Sequence, residues 1–268
     1  MLIGHGSSKN DRSADAVIEQ AKAIAARKLF ADVRPAFWKQ EPQLAHMISE
    51  LRAARVFFVP MFVSEGYFSE TAIPNSLGFA ETRVQHREKL DARSTWFYCK
   101  PVGTHERITD LLLARARQVV KQFPFPRAPK ESDLTLFIAG HGTPQDERSR
   151  KSIERQVELI RSMNIYAAVH AVFLEEEPKI PSAYEMAQTK NMVIVPFFIG
   201  DGMHVQEDIP MLLGEPERVV KKRLADGTST WRNPTERKGK LVWYTEGVGS
   251  DPALAEINLD RVREVACL

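Results

Sequence analysis

Ala139-Gly140-His141-Gly142-Thr143, at the end of the apolar run that starts at Leu134, is the stretch on which the fold turns. Nearly the same residues stand close to the start of the chain as Ile3-Gly4-His5-Gly6-Ser7. The interval from His5 to His141, 136 residues, sets a register. In that register Arg12-Ser13 matches Arg148-Ser149, and Glu41-Pro42 matches Glu177-Pro178. Val59-Pro60-Met61-Phe62 matches Val195-Pro196-Phe197-Phe198, Gly66 matches Gly202, and Ile73-Pro74 matches Ile209-Pro210. So many blocks in one register mark an internal duplication. Val102-Gly103 matches Val248-Gly249 over a longer interval, so the second copy carries extra residues before that block.

Between the copies lies Gln122-Phe123-Pro124-Phe125-Pro126-Arg127-Ala128-Pro129, and its prolines suit an extended connection. The division read from this is a first repeat over 1–121, a linker over 122–132 and a second repeat over 133–268. Each repeat alternates strand and helix patterns. In the second, Leu134–Ala139 is a strand, and Ile153, Val157 and Ile160 give the one-sided spacing of a helix. Ala168–Leu174, Met192–Ile199 and Leu241–Thr245 follow as strands, with a helix after Pro178 in which proline serves the first turn, and a last helix over 252–265. The first repeat reads Val33–Phe37, Val56–Val63 and Thr95–Cys99 as strands and 104–120 as a helix. Its opening strand is only Met1–Gly4. The expected fold class is α/β: two tandem domains, each a parallel four-stranded sheet flanked by helices.

Bulk properties narrow the function. The 268 residues carry a net charge of +2, with 43% hydrophobic and 27% charged residues, as in a globular protein. No basic stripe or reading motif points to a nucleic-acid partner. No apolar run has the roughly 18–20 residues of a membrane span. Cys99 and Cys267 are isolated, and the chain opens without a signal-peptide pattern, so the expected compartment is the cytoplasm. A monomer or homodimer would suffice.

In open parallel sheets ligands bind beyond the carboxyl ends of the strands. His141 and His204 both fall there, in glycine-flanked loops after the first and third strands, and two imidazoles on adjacent strand ends can converge on one metal. The position matching His204 in the first repeat is Phe68, so only the second repeat has a complete pair. Glu175, Glu176 and Glu177 end the second strand, and Glu175 is the candidate proton acceptor. Arg12 and Arg148 near helix starts, together with His5, Ser7, Thr143 and Gly202, are candidate ligand contacts. His46 and His86 read as surface residues, His105 as the first turn of a helix, His170 as structural, and Trp96 and Trp243 as core residues at matching strand positions. The segment 215–240 holds eight basic and four acidic residues and reads as a solvated insertion, with a lid as the alternative.

The His-Gly-Ser/Thr after the first strand, the Gly-x-His-Val-x-x-Asp-Ile-Pro block at Gly202–Pro210 and Val102-Gly103-Thr104-His105 resemble the class II chelatases of the CbiX/SirB type. The resemblance implies ATP-independent insertion of a divalent ion, Co²⁺ foremost and Fe²⁺ or Ni²⁺ as alternatives, into sirohydrochlorin, an acidic tetrapyrrole of cobalamin and siroheme synthesis. It implies no organic cofactor, and it gives His141 and His204 the roles of metal ligands and proton acceptors. Neutral imidazole suits such ions without choosing among them. A non-catalytic tetrapyrrole- or metal-binding protein is the competing reading. A phosphohistidine phosphatase needs arginine before the histidine, where this chain has Gly4 and Gly140, and no phosphate-binding Gly-rich Lys-Ser/Thr loop is present.

Overall fold

The computed structural model describes the chain apart from residues 9–10, 80–86, 92–93, 144–145 and 267–268, so the expectations for His86 and Cys267 lie outside the described residues. The α/β architecture is as expected, with two parallel-dominated sheets. The compact units, however, do not coincide with the two repeats. One comprises Met1–Arg107 with Gly249–Leu268, and the other Ile108–Val248.

The first unit runs β1 (Leu2–Gly4), α1 (Asp15–Ala25), β2 (Pro35–Phe37), α2 (Leu44–Ser49), β3 (Arg55–Pro60), α3 (Ile73–Ser76), β4 (Arg87–Asp91) and β5 (Ser94–Tyr98). The second unit begins with α4 (Ile108–Gln122) and continues β6 (Leu134–Gly140), α5 (Glu147–Ser162), β7 (Ala168–Phe173), α6 (Ala183–Met186), β8 (Asn191–Pro196), α7 (Ile209–Leu212), α8 (Glu217–Ala225), β9 (Thr235–Arg237) and β10 (Lys240–Tyr244). The last helix, α9 (Leu254–Ala266), returns to the first unit.

The sheet orders are β2-β1-β3-β5-β4 and β7-β6-β8-β10-β9. Four strands of each are parallel, and the fifth is an antiparallel edge strand paired with β5 or β10. The expected four-stranded sheets are therefore one strand short. The missed strands read Arg-Glu-Lys-Leu-Asp and Thr-Glu-Arg, polar sequences that suit an edge but lack the apolar run used to recognise a strand.

The central strands form because their residues are buried on both faces: every residue of β6 is buried, and five of six in β8. Helix α5 covers β6 and β7 with Ile153, Val157 and Ile160, and its start is capped by Asp146, whose side chain accepts from the Arg148 N–H at 3.0 Å.

The two long helices that follow the fourth strands change places. Helix α4 packs on β8 and β10 of the second sheet, burying Ile108, Leu111, Leu112 and Val119, while α9 packs on β3 and α1 of the first. Gln156 and Gln20, matching positions on α5 and α1, each hold the incoming segment. The Thr109 hydroxyl of α4 donates to Gln156 Oε1 at 2.7 Å, and Gln20 Nε2 donates to the carbonyls of Gly249 and Asp251 at 2.9 Å. Arg261 of α9, 4% exposed, donates to the Pro101 carbonyl and to Thr104 Oγ1. Helical periodicity reports which face of a helix is buried, not which sheet covers it, so the exchange was invisible to it.

Four further expectations are corrected. Pro178 precedes the 3-10 turn Ile180–Ser182 and α6 and occupies no helical first turn; its neighbour Glu177 accepts from the Lys179 N–H at 3.1 Å, as Glu41 does from Gln43 at 3.0 Å. His105 stands before α4, 8% exposed, beside Asp260 and Glu264 of α9. Trp96 and Trp243 are both buried, but Trp96 pairs with Val56 and Trp243 with Val193, one register step apart, so they face opposite sides of their sheets. The segment 215–240 is part of the fold: it supplies α8 and β9, buries Trp231 at 2% exposure, and places Glu215 between Arg223 and Arg237.

Strand β1 is short, as its sequence indicates, and the Met1 amine donates to the Phe57 carbonyl at 2.7 Å. Among the described residues no helix is long and apolar enough to cross a membrane.

Candidate active site

The second sheet brings β6 and β8 side by side, with Ala139 opposite Pro196, so the loops that leave their carboxyl ends are neighbours. His141 leaves β6 through Gly142, whose φ of +66° favours glycine and where a Cβ would press on Phe173 at 3.1 Å. Beyond β8 the chain makes a π-helical turn over His204–Asp208, which His204 opens and Gly202 anchors by accepting from the N–H groups of Val205 and Gln206. Short π-helical segments recur at functional sites because they re-aim side chains. Tyr244, buried at the end of β10, pins this turn by donating its hydroxyl to the Val205 carbonyl at 2.7 Å.

The two imidazoles meet with ring centroids 5.0 Å apart and an interplanar angle of 80°. Each uses its Nδ1 locally. His141 Nδ1 lies 2.7 Å from the Gly142 carbonyl, and His204 Nδ1 lies 2.6 Å from Asp208 Oδ2. A carbonyl can only accept, and an ionised carboxylate likewise, so the proton of each neutral ring belongs on Nδ1 and the Nε2 lone pair is left for a metal or a proton. Glu175 Oε1 lies 3.8 Å from His141 Nε2 and is 53% exposed, so it can exchange protons with solvent. Its backbone N–H is tied to the His141 carbonyl at 3.0 Å.

The remaining expected residues are more dispersed. Thr143 is half-buried just after the histidine. Arg148 is engaged with the cap residue Asp146 at 2.9 and 2.8 Å, so its charge is largely spoken for locally. Glu176 is held by Arg150 at 3.1 Å. In the first unit His5 occupies the place of His141, with Nδ1 2.8 Å from the Gly6 carbonyl, but its ring meets Phe68 edge-on at 4.6 Å instead of a second imidazole. Burial lowers the His5 pKa, and Lys39 adds to the effect. The Ser7 N–H donates to Gln40 Oε1 at 3.0 Å, and Arg12 is exposed.

Sequence reasoning quoted Asp208 within the Gly202–Pro210 block without giving it a role, and it missed Tyr244. The role of Asp208 was legible: it stands four residues after His204, and the first repeat has Ala72 at its place as it has Phe68 at the histidine's. Among the described residues no group of three or more His, Cys, Asp or Glu side chains forms a metal cage.

The CbiX family model matches the chain twice, over residues 1–119 and 135–265. A probable sirohydrochlorin cobaltochelatase of Halobacterium salinarum is 33% identical over 276 residues, which cover 98% of this chain and 90% of that protein. A sirohydrochlorin cobaltochelatase of Methanopyrus kandleri is 31% identical and covers 49% of this chain and 96% of its own length. In fold the chain is similar to a multi-domain Deinococcus radiodurans protein described as structurally similar to chelatases, with a TM-score of 0.73, 24% identity and 97% of this chain covered; the chain spans about half the length of that protein, 53%. It is also similar to SirB from Bacillus subtilis with Fe³⁺, with a TM-score of 0.67, 18% identity and coverage of 98% and 93%.

Proposed function

The chain belongs to the CbiX family, and from that premise we propose that it is a sirohydrochlorin cobaltochelatase whose metal passes through the His141/His204 pair. The observation that carries the site assignment is the 5.0 Å approach of two imidazoles whose Nδ1 atoms are both engaged elsewhere. The reaction exchanges one dication for two pyrrole N–H protons, with no change of oxidation state. The two Nε2 lone pairs supply a partial coordination sphere, enough to take up Co²⁺ and strip part of its water. Too few ligands close around the ion to retain it against the four nitrogens of the macrocycle. The protons leave to nearby bases: Glu175 accepts beside His141, and its exposure gives them a route to solvent. Asp208 holds His204 in the tautomer that presents Nε2, as outer carboxylates do for metal-binding histidines. The reaction needs no ATP or organic cofactor, and a cytoplasmic setting suits it.

The test is an anaerobic assay in which Co²⁺ is added to metal-free sirohydrochlorin and the change in the macrocycle spectrum is followed. Wild-type protein accelerates the change, and His141→Ala and His204→Ala abolish the acceleration. Wild-type turnover in either variant overturns the assignment.

A further inference from the structure

The segment 215–240, which the second unit carries between α7 and β10, ends against the residue that anchors the His204 turn. A π-helical turn is wider than an α-helical one, so its carbonyls lose the usual intrahelical donors and need others. Tyr244 supplies one to Val205, the residue after His204, at 2.7 Å. The first unit does the same over its π-helical turn Phe68–Ala72, where the Tyr98 hydroxyl donates to the Ser69 carbonyl at 2.8 Å. What stands behind the two tyrosines differs. Tyr98 has the Phe79 ring against its own at 5.7 Å. Tyr244 is held by two residues of the segment 215–240.

That hold follows from how β9 runs out. Its antiparallel ladder with β10 reaches Thr235 opposite Val242, and the residue before it, Pro234, brings no N–H to continue the ladder. Two side chains take over along the same edge of β10. The Trp231 indole N–H donates to the Val242 carbonyl at 3.3 Å. Asn233 makes a two-way pair with the Tyr244 backbone: its Nδ2 donates to the Tyr244 carbonyl and its Oδ1 accepts from the Tyr244 N–H, both at 2.8 Å. The Trp231 ring, 2% exposed, also meets the Tyr244 ring edge-on at 6.1 Å. Backbone and ring of Tyr244 are thus fixed from one segment, and a hydroxyl at the end of a long side chain moves with any tilt at its base. Such a shift passes to Val205 and so to His204, whose ring stands 5.0 Å from that of His141.

We propose that Asn233 is a positioning residue for metal handling: through Tyr244 and the Val205 carbonyl it aims His204 at His141, with Trp231 behind it. The segment 215–240 is in this sense a brace for the turn that carries His204. The inference rests on the reading of the His141/His204 pair as the place where cobalt is handled.

The full chain is titrated anaerobically with Co²⁺ alone, followed by the cobalt absorption bands, and cobalt insertion into sirohydrochlorin is measured beside it. Asn233→Ala is expected to weaken Co²⁺ binding about tenfold, the low end for groups that orient a metal-binding histidine. It is expected to lower kcat while KM for sirohydrochlorin stays within about twofold. Asn233→Asp keeps the shape of the side chain and loses the donor, and is expected to show the loss in a chain that folds. Tyr244→Phe is expected to match it, and adding Asn233→Ala to Tyr244→Phe to deepen it little, because both act through one hydrogen bond. Ile160→Val, a core change on α5 of the same unit, is expected to lower the melting temperature and leave Co²⁺ affinity in place. Unchanged Co²⁺ affinity in the Asn233 variants, losses that add in the double variant, or an equal loss in Ile160→Val overturns the proposal. A wild-type chain that takes up no Co²⁺ and inserts none sinks the reading beneath it, whereas wild-type uptake with indifferent Asn233 variants sinks this inference alone.

Discussion

The two sheet ends are one scaffold carrying two chemistries. In the second unit an imidazole faces an imidazole at 5.0 Å; in the first an imidazole faces a phenyl ring at 4.6 Å. The strand order, the glycine after the histidine, the π-helical turn and its tyrosine anchor are common to both. What differs is the side chains that scaffold carries, every one of 67–72 against 203–208 among them, so the fold supplies the meeting point while those residues set the chemistry available there. Asp208 belongs with His204 through its 2.6 Å contact to Nδ1, and the first unit carries Phe68 and Ala72 in their places.

The sharpest way to break this comparison is to write the first turn into the second. His204→Phe with Asp208→Ala is expected to lower cobalt insertion about 10²–10⁴-fold, the range for removing a positioned acid–base group, as read by initial rates. A rate within threefold of wild type would show that the turn does not carry the difference. The reverse exchange, Phe68→His with Ala72→Asp, is expected to raise the Co²⁺ bound per chain from one to two, counted by titration of the cobalt absorption bands. Asp208→Asn alone keeps the shape but weakens the hold on the His204 tautomer. Co²⁺ affinity is expected to fall about 10–100-fold, with recovery in Asp208→Glu.

The smallest effect concerns stability. His170 stacks on Phe137 at 5.5 Å, and its Nε2 is buried without a hydrogen-bond partner among the described residues. Burial, aided by Arg161, holds its pKa below 6.5. The fold therefore keeps the neutral ring, and its contribution is full above 6.5 and lost as pH falls, when the unfolded chain binds a proton that the folded one resists. Melting temperature is expected to decline below about pH 6.5, less steeply in His170→Gln. Equal slopes in the two proteins would assign the decline to other groups.

The meeting of His141 and His204 in the candidate site could be read from the sequence because the duplication provides its own alignment: a histidine kept at 5 and 141 but present at 204 and absent at 68 locates the complete pair. Leu134–Gly140 and Asn191–Pro196 were legible as apolar runs, since central strands are buried on both faces. The edge strands were not, because an edge tolerates polar residues. The tandem tryptophans misled for a related reason: in a strand one position reverses the face, and two indoles near the same place do not define a register. The role of Tyr244 depended on a contact across 39 residues, which no local pattern reports.

The exchange of α4 and α9 separates the seam of the duplication from the seams of the fold. The repeats join near Pro124–Pro129, inside the second compact unit, whereas the chain passes from one unit to the other after Arg107 and after Val248. A protease cut in the proline-rich stretch would give two pieces, each bearing a helix whose greasy side completes the other's core. Leu112, fully buried, would alone forfeit about 2–5 kcal/mol if its packing were lost. Neither half is thus a spare copy that can be discarded. Each is the other's missing part, and pieces cut there should be found together after gentle renaturation and not apart.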